Sequence, residues 1–168
     1  MSNRPSLPPP PTDSAYIAHL WDYPQLTIAI FGMQAHTPEG YAMYEAAGIP
    51  KQMEEALAHA EGLLCVRFFP EGNGGLQLQY WRSHQDLARF ARQMPHTTWW
   101  KWLSDNRGKG FSFYHETYQC KTAEAAYEIA TLPVGPATFC ETSAIKGGEG
   151  RSQERQRRFV EAAVQSPS

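Results

Sequence analysis

The spacing of apolar and polar residues changes several times along the chain, and each change predicts a new element. Residues 26–35 carry apolar and β-branched side chains on both parities, which predicts a strand covered on both faces. Residues 62–70 form a second apolar run, and residues 76–82 alternate apolar and polar with period two. Glycines between these two runs predict a β-hairpin. Residues 111–119 are the last predicted strand.

Helical spacing separates these strands. A helix is predicted after the first strand, and Gly48 and Pro50 divide it into a short helix and a longer one. Ser83 is placed to cap a helix over residues 84–94, and residues 96–106 predict a further helical segment. The order is therefore βαββαβ, which predicts an α+β, ferredoxin-like antiparallel sheet with helices on one face. In this arrangement we expect the third strand at one edge of the sheet and the fourth at the opposite edge.

The strands carry large apolar residues on both parities, as Ile30 beside Phe31 and Phe68 beside Phe69 illustrate. Helices on one face cannot bury both sets, so the second face needs another cover. A second copy of the chain is the obvious partner. We therefore predict a homodimer in which two facing sheets form a dimeric α+β barrel around an internal pocket.

Composition restricts the class of protein further. The chain has 168 residues, 42% of them hydrophobic, and a formal net charge of −2, which predicts one folded domain and argues against binding to nucleic acid. No apolar run is long enough to cross a membrane, and the N-terminus lacks the apolar region of a signal peptide, so we expect a cytoplasmic protein. We predict a proline-rich disordered arm over residues 1–19, the barrel domain over residues 20–142, and a polar tail over residues 143–168.

Cysteine spacing gives no sign of a disulfide framework or a zinc site. The chain has three cysteines, an odd number, and they lie far apart in sequence: Cys65, Cys120 and Cys140. No metal site is therefore predicted.

The densest group of candidate chemical residues lies on the third and fourth strands. Gln79, Trp81 and Arg82 end the third strand, and His115 and Glu116 lie on the fourth. Neighbouring residues of a strand point to opposite faces, so only one member of each adjacent pair can face a pocket. A histidine can move a proton near neutral pH, which makes His115 a candidate base, with Glu116 orienting some other partner. The alternative is that both residues are structural, one hydrogen-bonded and one ion-paired.

Two further features favour a pocket for an apolar ligand. Arg67 lies on an otherwise apolar strand, where its charge needs either Glu116 or an acidic group of a ligand. Trp81, together with Trp99, Trp100 and Trp102, could wall a pocket for a flat molecule or could simply be core. His96 stands at the end of an element, where the mouth of a pocket would be, although a solvated histidine is the commoner outcome at such a position.

Three segments carry a resemblance to a known family: QYWRS at residues 79–83, HQDLARFAR in the helix that follows, and YHETY at residues 114–118. With them, residues 26–142 resemble the fumagillin-pathway monooxygenase-like family, which is related to the antibiotic-biosynthesis monooxygenases of the dimeric α+β barrel superfamily. The resemblance implies the ferredoxin-like fold, a homodimer, and oxidation of a small apolar or aromatic, secondary-metabolite-like substrate without a cofactor. At the positions where the motifs match, the resemblance implies that the site residues are Trp81, Arg82, His115, Glu116 and Tyr118.

The predicted function is thus a cofactor-independent monooxygenase. His115, Glu116 and Arg82 are the expected catalytic residues, and the expected substrate-binding residues are Trp81, Tyr118, Arg67 and Gln79. Two alternatives stay open. One is an enzyme in which a histidine such as His115 ligates a haem iron, as the resemblance to haem-binding members of the same superfamily implies, and the other is a non-catalytic protein that binds small molecules.

Overall fold

The computed structural model describes residues 7–166, and its chain divides into two compact units. The first unit is Thr27–Tyr118, and the second combines the residues before and after it. The strands are β1 Tyr16–Ala18, β2 Thr27–Ala35, β3 Leu63–Glu71, β4 Gly74–Trp81, β5 Phe111–Gln119, β6 Ala126–Tyr127 and β7 Thr142–Ala144. The helices are α1 Pro38–Ala46, α2 Ile49–Ala58, α3 His84–Ala91, α4 His96–Asp105 and α5 Ser152–Gln165.

The first unit contains a four-stranded sheet in the order β3-β4-β2-β5. Strand β4 runs antiparallel to both β2 and β3. This is the ferredoxin-like arrangement that the sequence predicted, with one correction. The third strand of the motif, β4, is an inner strand rather than an edge, and β3 forms the edge. The physical reason is burial: Gln79, Tyr80 and Trp81 of β4 are all buried, whereas β3 has no fully buried residue.

Helices α1 to α4 cover one face of this sheet. Their starts follow local signals, because the Thr37 and Ser83 side chains accept hydrogen bonds from the backbone N–H groups of Gly40 and Asp86. The break between α1 and α2 falls at Gly48, which has a positive φ of 67°. The buried core of the unit joins the two layers and contains Ala29, Met33, Ala35, Tyr44, Ile49, Met53, Leu57, Trp81, Leu87, Trp99, Leu103 and Phe111.

The other side of the sheet, which we call the helix-free face, carries the alternate residues. Strand register places Ile28 opposite Tyr80 and Ile30 opposite Leu78 on this face. The Tyr114 ring of β5 lies over Gly32, where a Cβ atom would come within 2.3 Å of it. Apolar residues therefore occupy both faces of the sheet, as the sequence predicted.

The second unit holds a three-stranded sheet in the order β6-β1-β7. Tyr16 and Ile17 of β1 are fully buried, and so is Phe159 of α5. The structure thus corrects the expectation of a disordered arm over residues 1–19 and a polar tail over residues 143–168: both contribute buried residues to this unit. The sequence pattern missed β1 for two reasons. A strand of three residues is too short to show an alternation of apolar and polar residues, and the strands that pair with it lie more than a hundred residues away in sequence. Residues 1–6 of the predicted arm lie outside the described residues.

Two findings concern the chain as far as it is described. None of its helices is both long and apolar enough to cross a membrane. Cys65, Cys120 and Cys140 are free thiols.

Candidate functional site

A cavity of about 330 Å³ opens between the helix-covered side of the sheet and helices α3 and α4 of the first unit. We call it the aromatic cavity, because Phe31, Phe90, Trp99 and Trp100 supply much of its wall. The rest of the wall is Ala29, Met53, Leu57, Gln79, His84, Leu87, Ala88, Ala91, Arg92, His96, Leu103, His115 and Thr117. Concave, mostly apolar sites with a few polar groups are the usual binding sites for small molecules.

Strand alternation decides which residues of β5 reach this cavity. His115 and Thr117 line it, and the His115 ring meets the Trp100 ring edge-on at 6.2 Å between centroids. Nε2 of His115 and Oγ1 of Thr117 are 3.1 Å apart, which is hydrogen-bond distance. Glu116 projects to the helix-free face, where its carboxylate accepts a hydrogen bond from the Tyr118 hydroxyl at 2.7 Å. The sequence correctly predicted that His115 and Glu116 face opposite sides.

A second imidazole, His96, lies in the same wall and is held by Trp100. The indole N–H of Trp100 donates to Nε2 of His96 at 3.2 Å. Because an indole nitrogen can only donate, Nε2 carries the lone pair and the neutral ring keeps its proton on Nδ1. That Nδ1 is buried and makes no hydrogen bond of acceptable geometry among the described residues.

Burial lowers the pKa of His96, so its neutral form is favoured. The backbone of Ala91 acts in the opposite direction, and the charge of His115 lowers the pKa further. The two imidazoles are therefore electrostatically linked, because a positive charge on His115 makes protonation of His96 less favourable.

Gln79 is the amide of the cavity, and its orientation is determined by a chain of hydrogen bonds. Its Oε1 accepts from Nε1 of Trp81 at 3.0 Å, and its Nε2 donates to Oε1 of Gln77 at 2.9 Å. Gln77 in turn donates to Sδ of Met53 at 3.0 Å. Since Trp81 can only donate, the oxygen and nitrogen of Gln79 cannot be exchanged.

The structure does not bring Trp81 or Arg82 to the cavity wall. Trp81 is fully buried in the core, where its indole N–H holds the Gln79 amide in place through a hydrogen bond. Arg82 belongs to an ion-pair cluster on the surface: its Nε donates to Asp86 at 2.8 Å, and Nη2 lies 3.4 Å from Glu61. Hydrogen bonding with Asp86 raises the pKa of Arg82, and the same bond lowers the pKa of the Asp86 carboxyl.

The remaining predicted residues lie on the helix-free face. Arg67 stacks over Phe69 of its own strand, with Cζ 4.8 Å from the ring centroid, and forms no ion pair with a described residue. It makes no ion pair with Glu116 within one chain, and the two residues lie on β3 and β5, the opposite edges of the sheet. Tyr118 is about half exposed beside Glu116.

The pocket that the sequence indicated, between the facing sheets of two copies, stays a prediction. The aromatic cavity is a different site, on the helix-covered side of the sheet within one chain. The pattern favoured a solvated His96, whereas the ring lies in the cavity wall. The signal that could have found it is its spacing of four residues from Trp100, which places both side chains on one side of a helix.

No group of three or more His, Cys, Asp or Glu side chains within residues 7–166 is arranged to hold a metal ion.

Solved structures show what the fold is similar to. A conserved protein from Methanosarcina mazei Go1 superposes with a TM-score of 0.47 and 18% identity, over 60% of this chain and 98% of its own. SnoaB, a cofactor-independent oxygenase from Streptomyces nogalater, superposes with a TM-score of 0.45 and 12% identity, over 59% of this chain and 96% of its own. An aldoxime dehydratase superposes with a TM-score of 0.59 and 18% identity, over 97% of this chain and 48% of its own. This chain thus spans about half the length of the aldoxime dehydratase, and the likeness concerns the fold.

Sequence comparison identifies the family. No curated protein matches the chain. The family model described as "Monooxygenase af470-like" matches residues 26–134, which contain the whole sheet of the first unit and the aromatic cavity. This agrees with the resemblance carried by the QYWRS and YHETY segments. The chain therefore belongs to the monooxygenase af470-like family.

Proposed function

We propose that this protein is a monooxygenase that oxidises a small apolar or aromatic substrate in the aromatic cavity without a bound cofactor. The observation that carries the proposal is the composition of the cavity. Four aromatic rings and several aliphatic side chains enclose it, and two imidazoles enter the same wall. Such a wall suits a flat apolar molecule and supplies a base beside it.

The proposed base is His115. It removes a proton from an activated CH₂ group of the substrate, and the resulting carbanion reduces dioxygen as a C–O bond forms. The imidazolium of His115 returns the proton to the peroxide. His115 then takes the second C–H proton while the O–O bond breaks, which leaves a carbonyl group and water. One oxygen atom enters the product and the substrate supplies all the electrons.

The proposed part of His96 is to stay neutral beside His115. Because burial lowers the pKa of His96, the cavity holds no positive charge there that would oppose an imidazolium at His115. Gln79 offers an amide of known orientation to the substrate.

Oxygen uptake tests the proposal. The purified protein, treated with a chelator, is mixed with dithranol, which carries an activated CH₂ group between two aromatic rings. We expect oxygen consumption and a new carbonyl whose oxygen derives from isotopically labelled dioxygen. Oxygen uptake that appears only after a metal or flavin is added would contradict the proposal. Binding of dithranol without any turnover would point to a non-catalytic binding protein.

His96 is a poor ligand for a haem iron. Such an iron needs the lone pair of an imidazole, and at His96 that lone pair receives the N–H of Trp100. His84 and His115 are the other imidazoles of the wall, and we derive no step through haem. Addition of haemin followed by an absorption spectrum checks this alternative, because ligation by a histidine shifts and sharpens the intense band of free haemin.

We also propose that the helix-free face joins two copies of the chain. Closing two four-stranded sheets into a barrel brings together either unlike edges, β5 with β3, or like edges. Pairing of like edges would place the Glu116 side chains of the two copies near each other, and the two Arg67 side chains likewise. Repulsion between these like charges disfavours that arrangement. Unlike edges place Arg67 of one copy near Glu116 of the other, and neither has an oppositely charged partner among the described residues of its own chain. The charges favour this second arrangement.

A further inference from the structure

Arg92 is the one formally charged residue, among residues 7–166, that lines the aromatic cavity. Arg92 and the three histidines His84, His96 and His115 line it, and no Asp or Glu of residues 7–166 does. The chain as a whole is different, with seventeen acidic against fifteen basic residues. The cavity therefore departs from the rest of the molecule in a direction that favours an anion.

Arg92 is the member of this set with an available charge. Its side chain makes no ion pair or hydrogen bond with a described residue. The two neighbouring arginines differ, because Arg82 and Arg89 both bind Asp86, at 2.8 Å and 3.0 Å. A guanidinium that the protein leaves unpaired at the wall of a cavity is available to a ligand.

Polarity also changes from the mouth of the cavity to its floor. Arg92, His84 and His115 are exposed, whereas Trp99 and Leu103 are almost completely buried. A ligand that satisfies both ends has an apolar body and an acidic head. An arginine binds a carboxylate through two parallel N–H···O bonds, so a carboxylate matches this donor best.

We propose that Arg92 forms an anion subsite at the mouth of the aromatic cavity, and that the substrate is an apolar compound with a carboxylate group. This inference rests on the proposed function, because it takes the aromatic cavity to be the substrate site. The cavity arginine is thus Arg92, whereas Arg82, which the sequence predicted as a catalytic residue, lies outside the cavity.

The test compares two ligands of the same shape, 2-naphthoate and the neutral 2-naphthalenemethanol. Binding is followed by quenching of tryptophan fluorescence, since Trp99 and Trp100 line the cavity, and is confirmed by calorimetry. We expect wild-type protein to bind 2-naphthoate more tightly than the alcohol. Arg92→Gln should weaken 2-naphthoate binding about five- to tenfold and leave the alcohol within about twofold.

Arg89→Gln is the matched control, because it removes one positive charge three residues before Arg92 and outside the cavity lining. It should leave both affinities within about twofold. Equal weakening of 2-naphthoate by Arg89→Gln and Arg92→Gln would overturn the proposal, since it would indicate a general field effect. So would a wild-type protein that shows no preference for the acid.

The outcome for Arg92 is separate from the outcome for the oxygenase. Binding of 2-naphthoate through Arg92 with no oxidation of any substrate would support the subsite and contradict the proposed function. If the protein oxidises dithranol, Arg92→Gln does not change that rate, and wild type shows no preference for the acid, the proposed function is supported and the subsite is contradicted.

Discussion

Trp100 and His96 face each other across one turn of α4, and the indole N–H donates to Nε2 of the imidazole at 3.2 Å. The bond depends only on their spacing in one helix, so the local backbone positions both rings. A protonated His96 would have no lone pair to accept this bond. Protonation of His96 must therefore break the contact that holds the Trp100 ring in the cavity wall.

This contact leads to a prediction about stability and pH. Burial lowers the pKa of His96, so the unfolded chain binds a proton there more readily than the folded chain. The stability contributed by neutral His96 is present above the ordinary histidine pKa of about 6.5 and is lost as the pH falls through its lower folded-state pKa. Between about pH 7.5 and about pH 5.5, urea denaturation should show a smaller fall in the free energy of unfolding for His96→Gln than for wild type. His59→Gln, which changes an exposed histidine, should keep the wild-type slope.

The proposed base gives a prediction about rate. His115→Gln removes the titrating group and keeps a side chain that can hydrogen-bond to Thr117. Turnover of dithranol should fall by about 100-fold or more, because general base catalysis typically contributes that much. His36→Gln is the control, since His36 bonds Ser112 outside the cavity. A His115→Gln enzyme with full activity and wild-type stability would exclude His115 as the base.

The hydrogen bond from Trp81 to Gln79 gives a prediction about stability alone. Gln79→Leu leaves the fully buried indole N–H of Trp81 without its acceptor, which should cost about 1–3 kcal/mol of unfolding free energy. The same substitution in a Trp81→Phe background removes donor and acceptor together and should cost less. Chemical denaturation of the four proteins measures the difference. Equal costs in both backgrounds would mean that the bond contributes nothing.

The helix-free face gives a prediction about a tyrosine pKa. The Tyr114 hydroxyl donates to Glu71 at 2.6 Å, and this bond raises the pKa of Tyr114 to about 12. Glu71→Gln removes the carboxylate that makes ionisation of the phenol unfavourable. The pKa of Tyr114 should then fall toward the ordinary tyrosine value of about 10, measured by NMR titration of the ring carbon that carries the hydroxyl. Glu45→Gln, which changes a glutamate away from this tyrosine, should leave it unchanged.

The proposed pairing of two copies gives a prediction about association. Arg67→Glu places like charges at each junction between β3 and β5 and should weaken self-association in analytical ultracentrifugation. Adding Glu116→Arg exchanges the two charges and should restore it. Self-association that is lost in the single variant and not restored in the double variant would contradict the pairing, as would a wild-type chain that sediments as a monomer.

Local sequence determined most of the secondary structure of the first unit. The Ser83 cap, the break at Gly48 and the glycine-rich hairpin are each specified within a few residues, and each lies where the pattern predicted it. Alternation along β5 also places His115 and Glu116 on opposite faces, because successive side chains of a strand point to opposite sides. These features depend on backbone geometry that neighbouring residues control.

Tertiary structure decided what long-range packing controls. The sequence contains nothing local that sets β4 between β2 and β3, that pairs Tyr16–Ala18 with strands more than a hundred residues away, or that leaves Arg92 unpaired while Asp86 takes Arg82 and Arg89. Its pattern singled out Trp99, Trp100 and His115, but their meeting in one cavity with His96 required α4 to pack across the sheet. Residue type determines which chemistry is possible, whereas the packing of distant segments determines which of those residues share a site.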